Sequence, residues 1–275
     1  MNQRWLNRIG SFRSPDEIID TRAYEIAELI DDNTPKAFVE QHHYSGSYPA
    51  ARARFGLYRS ARLVGVAVFS HPPNEAVLRR LPCDRMAGIE LGRFVLLDDV
   101  PGNGESWFLA RCFEHLRARG IEALVAHSDP MPRRTADGAI VLPGHVGNIY
   151  QATNAVYGGR ATRRRLWILP DGTAFSERAM SKIRSRDRGY RYAIEQLVAA
   201  GAERPADIGQ DLGAWMSGEL TRVGRRASHQ GNHRYLWALN KKLRRQITAL
   251  AHTITHEDGT TERSPYPKTL DAEAA

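Results

Sequence analysis

The run GIELGRFVLLDDVPGNGES, Gly88 to Ser106, decides the fold. Its first ten residues, Gly88 to Leu97, are largely apolar and predict a buried strand, and the next nine pass through Asp98, Asp99 and Pro101 to the glycine pair Gly102 and Gly104. From about Ser106 to Arg119 the apolar residues recur at helical spacing, and Ile121 to Ala126 supplies a second strand that ends in His127, Ser128, Asp129 and Pro130. Strand, glycine turn, helix and strand in that order make a unit of an α/β fold. Glycines let backbone N–H groups converge at such a turn, and the helix behind it adds the positive end of its dipole. Val100, Gly102, Asn103, Gly104, Glu105 and Ser106 are therefore the candidate cradle for an anionic group donor, a tight connection without a ligand being the plainer alternative.

Upstream, Tyr24 to Asp31 and Pro35 to His42 have helical spacing, with Thr34 as a candidate cap, and lead into the polar and aromatic knot HHYSGSYP, His42 to Pro49. Ala53 to Tyr58 and Leu63 to Ser70 read as a hairpin. Downstream, a helix from about Val146 to Tyr157 would align Tyr150, Asn154 and Tyr157 on one face, and Arg165 to Leu169 is a strand. Ser176 to Arg184, Arg188 to Ala200 and Leu236 to Ala251 read as helices. These elements predict an α/β (α+β) mixed sheet with flanking helices over residues 1–170, a basic helical region over 171–251, and a flexible tail over 252–275 poor in residues to bury.

The 275 residues carry 39 Lys and Arg against 31 Asp and Glu, a net charge of +8 that favours an anionic partner. From Arg160 to Arg245 there are nineteen basic and eight acidic side chains, while the rest of the chain has twenty and twenty-three, so the excess falls in the C-terminal half. Arg163, Arg164, Lys182, Arg184, Arg186, Arg188, Arg225, Arg226, His233, Arg234, Lys241 and Arg244, with Tyr235 and Trp237 among the last of them, are the candidates for a nucleic-acid surface; solvated helix faces account for some of them equally well. Two cysteines, Cys83 and Cys112, give neither a disulfide framework nor a zinc spacing, and no apolar run has the length of a signal or membrane segment, which makes a cytoplasmic setting the expectation.

Candidate chemistry gathers in three places. His43 and Tyr44 are adjacent on the knot, an imidazole that can act as base or ligand beside a phenol that can donate a proton. Ser128 and Asp129 follow the C-terminal end of a strand, where open α/β sheets place ligands, although Asp129 before a proline can equally cap a turn. Tyr150 is the first choice among the tyrosines and Tyr157 the second. Glu90 and Arg93 share the central strand, and simple alternation puts them on opposite faces; His71, His127 and His145 are further possible ligands without a metal spacing.

Strand, glycine turn and helix resemble the donor-binding centre of the GNAT acyltransferases, whose pattern runs Arg or Gln, two residues, Gly, one residue, Gly or Ala. Gly102 and Gly104 match it and Asp99 departs from it at the first position. The segments HHYSGSYP, ELGRFVLLDDVPGNGESWFLARC, SDP, PGHVGNIYQATNAVYGGR and NHRYLWALNKKLRR together resemble the Mom family of phage DNA-modification proteins. That resemblance implies a GNAT-like fold and an enzyme that places a carbamoylmethyl group on the exocyclic amine of adenine in duplex DNA, shielding phage DNA from restriction. It implies a catalytic set of His43, Tyr44, Ser128, Asp129 and Tyr150, acetyl-CoA or a related donor at the glycine turn, and possible iron on His43, Tyr44 and Asp129. An acetyl-CoA-dependent N-acetyltransferase acting on a protein or small amine, and a non-catalytic DNA-binding protein on the same scaffold, are the alternatives.

Overall fold

The computed structural model describes residues 2–6, 9–14, 16–72, 74–206 and 209–272, with side chains from residue 14 onward. The chain folds as two units, one of Met1–Pro130, His145–Ala161 and Asn232–Thr269, the other of Met131–Gly144, Thr162–Gly231 and Leu270–Ala275.

The first unit is built on a seven-stranded sheet. Its strands are β1 (Tyr24–Glu28), β2 (Ala51–Arg59), β3 (Arg62–Ser70), β4 (Gly88–Leu96), β5 (Ala123–Ser128), β6 (Val156–Arg160) and β7 (His233–Ala238), in the spatial order β6-β7-β5-β4-β3-β2-β1. All neighbours run antiparallel except β4 and β5, which are parallel. A parallel pair needs a crossover, and α2 (Gly104–Ala118) supplies it, burying Phe108, Leu109, Cys112 and Leu116 along one face. Strand β5 reads ALVAHS, and Ala123, Leu124, Val125 and Ala126 are all fully buried, as expected for an interior strand covered on both faces. Truncating Phe108, which is wholly buried in the main core, to alanine costs roughly 3–5 kcal/mol by the usual behaviour of large core side chains. The mixed α/β class expected from the sequence is thus observed.

Several local expectations are overturned. Tyr24 to Asp31 does not continue as a helix: Tyr24–Glu28 is an edge strand paired with β2, and α1 (Asn33–His42) begins at an Asp32 cap position, not at Thr34. The helix expected from Val146 to Tyr157 is only α3 (Asn148–Ala152); Asn154 turns into the left-handed region at φ 58° and Tyr157 lies on β6, so the three side chains do not share a helical face. Leu236 to Ala251 is not one helix, because residues 233–238 are β7, inserted between β5 and β6, and the helix α7 spans only Arg244–Ala249. Burial on both faces explains the difference: Tyr235, Leu236 and Trp237 of β7 are consecutive and all buried, a run that periodicity does not separate from a helix. The stretch 252–275 is likewise not a bare tail. Thr253–Thr255 and Thr261–Arg263 pair as a hairpin, and the half-buried Tyr266 packs on the main core with its hydroxyl 2.5 Å from the carbonyl of Ala155.

The second unit has a three-stranded antiparallel sheet, Ala174–Phe175, Arg164–Ile168 and Arg225–His229, with α4 (Glu177–Ser185), α5 (Tyr190–Ala199) and α6 (Leu212–Val223). Phe175, Ile183, Leu197, Met216 and Leu220 form its core. Ser176 caps α4 by accepting from the amide of Ala179 at 3.1 Å, and Asp211 caps α6 through the amides of Gly213 and Ala214. The division by charge expected from the linear sequence changes with this partition. Residues 232–269 return to the first unit, which then carries twenty-four basic and twenty acidic side chains, against fifteen and eleven in the second.

Candidate active site

The pairing of β4 with β5 stops at Leu91 and Ala126. At that point Leu91 faces Phe69 on β3 and Arg93 faces the adjacent Val68, so Gly92 is the extra residue of a bulge. Only glycine fits there, since a Cβ would stand 2.4 Å from Ser70 Oγ and 3.1 Å from Pro49 Cγ. Past this point the two parallel strands are no longer paired at their C-terminal ends, the usual ligand position in open α/β sheets, and the space between them is the candidate cleft. It also corrects the expectation that Glu90 and Arg93 act on opposite faces, because the Arg93 guanidinium feels the Glu90 carboxylate together with the phenols of Tyr44 and Tyr150.

The end of α1 delivers the knot to this cleft. Arg93 ties it down, donating from Nε to the Ser47 carbonyl and from Nη2 to Ser47 Oγ, both at 2.8 Å. His43 stacks on Tyr44 with ring centres 4.2 Å apart, and Tyr44 Oη lies 3.3 Å from Nε2 of His145. The His145 amide in turn donates to the Asp129 carbonyl at 2.8 Å, so the segment after β5 and the segment before α3 are held together at the site. Tyr150, almost wholly buried, packs its ring edge against His145, Tyr235 and Trp237. Behind it Glu90 and His127 form a pair at 2.9 Å between Oε1 and Nδ1. His43, Tyr44, Asp129 and Tyr150 are therefore brought together, and Arg93 and His145 join them.

Burial sets the charge states. Desolvation, helped by the nearby Arg93 charge and by His145, holds His43 well below the ordinary histidine range. Desolvation pushes His145 down to about 4, with the Asp129 carboxylate opposing the shift. Tyr150 is raised by burial and by the neighbouring phenols and Glu90, so its hydroxyl keeps its proton at neutral pH. At neutral pH the cleft thus presents two neutral imidazoles that can accept protons and a phenol that can donate one, beside a guanidinium.

Other candidates lie elsewhere. Ser128 is fully buried at the end of β5. Tyr157 is bonded to His233 Nδ1 at 2.9 Å. His233 is buried and not available to grip DNA, and Arg234 is half-buried, donating to the Arg160 carbonyl. Lys182, Arg164 and Arg225 are half-buried, whereas Arg163, Arg184, Arg186, Arg188, Arg226, Lys241 and Arg244 are exposed. Lys241, Arg244, His233 and Arg234 belong to the sheet unit, not to a helical appendix. The sequence signals Arg93, a charge inside the apolar run GRFVLL, and offers His145 only as a further possible ligand, because its partner Tyr44 is distant in the chain.

The Mom protein family model matches residues 24–268, which is most of the chain and includes every residue of this cleft. The chain belongs to the Mom family. Membership makes it a Mom-like enzyme that modifies adenine in DNA. No curated protein matches it. Among solved structures it is similar to the ribosomal-protein-S18-alanine N-acetyltransferase of Escherichia coli, at 17% identity and a TM-score of 0.33 over 55% of this chain and 88% of the other. It is also similar to an acetyltransferase of Bacillus subtilis in complex with CoA, at 10% identity and a TM-score of 0.33 over 79% and 98% of the two chains. The family assignment does not depend on these low similarities. No helix among the described residues is long and apolar enough to cross a membrane.

Two groups that the resemblance brings with it are tested by the residues in place. For iron, no three His, Cys, Asp or Glu side chains gather among the described residues. On His43, Nδ1 lies 3.1 Å from the Ser45 amide and 2.9 Å from Ser45 Oγ, which leaves Nε2 as the ring atom that could face a ligand. His43, Tyr44 and Asp129 are the residues that would hold an iron, offering it one imidazole, one phenol and one carboxylate. For a CoA thioester, the Gly102 turn is already engaged within the chain: its Gly102 amide donates 2.7 Å to a carboxylate oxygen of Glu17. The Gly102 amide, the first glycine of the pattern, is therefore not offered to a pyrophosphate.

Proposed function

We propose that this Mom-family enzyme converts adenine in double-stranded DNA to N6-carbamoylmethyladenine at the cleft between the ends of β4 and β5, and that the modification shields phage DNA from restriction. The observation that carries the reading is the convergence, inside the family-matched region, of His43, Tyr44, Asp129 and Tyr150 around Arg93 and His145.

The exocyclic amine of adenine is a poor nucleophile, so it must lose a proton as it attacks and must first leave the base stack, at a cost of a few kcal/mol. Neutral His145, hydrogen-bonded to Tyr44 and close to the Asp129 carboxylate, accepts the N6 proton as the new C–N bond forms. Asp129 steadies the imidazolium that results, while the leaving group departs with the electrons of the bond to the transferred carbon. Tyr150, which keeps its proton, and Arg93 donate to negative charge developing on the donor. Mass spectrometry of nucleosides from DNA of cells expressing the protein tests the reading. A modified adenine heavier by the carbamoylmethyl group is expected, and an unmodified profile from well-folded protein overturns it.

DNA is held by the exposed cations. In the second unit, Arg163, Arg165 and Arg226 lie on one antiparallel sheet, where Arg163 reaches Ser228, Arg165 pairs across with Ser228, and Arg226 stacks over Trp167 at 4.7 Å. Arg184, Arg186 and Arg188 follow at the end of α4. Replacing Arg184 and Arg188 together by Glu should weaken duplex binding about tenfold or more and flatten the salt dependence by roughly two counterions, read by binding titrations at several salt concentrations. An unchanged slope removes these residues from the DNA surface.

A further inference from the structure

The Gly102 turn has the sequence of an anion cradle, and the chain has supplied its own anion. Glu17 accepts from the Gly102 amide at 2.7 Å, and the Asn103 side chain answers by accepting from the Ile19 amide at 2.8 Å. Ile19 is buried in the main core, and a Cβ on Gly104 would lie 3.6 Å from its Cδ1, so the segment Glu17–Ile19 is pinned on both sides of its backbone. Two neighbouring amides are spent locally: Val100 donates to the Leu97 carbonyl at 3.2 Å and Gly104 to the Pro101 carbonyl at 2.9 Å. Gly104 is glycine for packing, since a Cβ would meet Val100 Cγ1 at 2.5 Å. The remaining charges are also the wrong sign for a second anion, with Asp98 and Asp99 before the turn and the buried Glu105 after it, and Arg62 committed to Asp99 at 2.7 Å.

We infer that the Gly102–Ser106 turn is not the donor site: the Glu17 carboxylate occupies it permanently as a structural clasp, and the group donor is a molecule that needs no pyrophosphate grip. Glu17 precedes the family-matched residues 24–268, so the clasp is argued from this chain's own contacts alone. The word donor rests on the proposed DNA modification, but the clasp is tested without DNA, so an absent modified adenine and a failed clasp appear in different experiments.

The test is thermal unfolding of the full chain with millimolar CoA, acetyl-CoA, pyrophosphate and acetate. None of the first three should raise the Tm of the wild type. Glu17→Ala should lower the Tm by about 3–6 °C, the loss of one charge-assisted hydrogen bond and its docking, and acetate should restore part of it by filling the vacated carboxylate position. Glu17→Gln, whose amide oxygen can still accept, should lie close to the wild type. Stabilisation of the wild type by CoA or pyrophosphate overturns the inference, as does a Glu17→Ala protein with unchanged Tm and no response to acetate. If Glu17→Ala does not fold, the wild-type CoA titration and the Glu17→Gln protein still decide.

Discussion

The cleft around Tyr44 and the turn at Gly102 follow one another along β4, and both have the composition of a small-molecule site, yet they treat their polar groups in opposite ways. At the turn the Val100 and Gly104 amides are matched to carbonyls and the Gly102 amide to Glu17, which ties the strand-to-helix connection within the chain. In the cleft the groups are gathered without being neutralised. Two imidazoles are held unprotonated by burial, a phenol is held protonated, and the Arg93 guanidinium is kept among them by bonds to Ser47. Assembling such a site costs stability, because each polar group gives up water on burial. A fold retains that cost where the groups act on something else. The comparison therefore separates a motif from a site: glycine spacing describes what a backbone can bind, and the free-energy state of the side chains describes what it does bind.

The largest effect that can break this comparison is on activity. Tyr44→Phe and Asp129→Asn keep the shape of the cleft and remove one proton-transfer group and one charge. Each should lower the modified adenine recovered from expressing cells by about 100-fold or more, the usual scale for a removed acid–base group. Their Tm values should stay within a few degrees of the wild type. Near-normal modification in both variants would move the chemistry out of the cleft.

A second effect is smaller and reads the electrostatics directly. His145 has a folded-state pKa of about 4 against an ordinary value of 6.5. A lowered pKa means that the unfolded chain takes up this proton first as the pH falls, so the stabilisation is complete above pH 6.5 and is lost progressively from there to about pH 4. His145→Gln should remove that part of the acid sensitivity, giving a flatter Tm profile between pH 6.5 and 4, together with a tenfold or larger drop in modification. A profile with the same slope as the wild type would show that His145 is not held neutral by the fold.

How much of this was legible follows from the same physics. The run GIELGRFVLL shows a buried strand because its apolar content is high over a strand's length, and the helix after it shows because α2 has one apolar face. Tyr24–Glu28 and β7 were read as helical because a five- or six-residue segment does not distinguish the two periods, and only pairing with β2 or with β5 and β6 decides. His43, Tyr44, Asp129 and Tyr150 are visible through the resemblance, but their juxtaposition with His145 depends on segments far apart in sequence, and the single-residue bulge at Gly92 that turns Arg93 toward them leaves no pattern in the composition. Glu17 carries no local signal at all, since its partner is the backbone of Gly102.

The smallest expected effect concerns the second tyrosine. Tyr157 sits one strand away from the cleft, on β6 beside β7, where its hydroxyl is bonded to Nδ1 of buried His233 at 2.9 Å and its ring lies against Tyr235 and His252. This is the arrangement of the turn, with a polar group satisfied in the chain, and not that of the cleft. Tyr157→Phe removes the hydroxyl and leaves His233 short of one partner, a loss of about 1–2 kcal/mol. In a chain of this size that lowers the Tm by roughly 2–6 °C, while adenine modification persists. A loss of modification comparable to Tyr44→Phe, with the Tm unchanged, would instead place Tyr157 among the reacting groups and extend the cleft across β7.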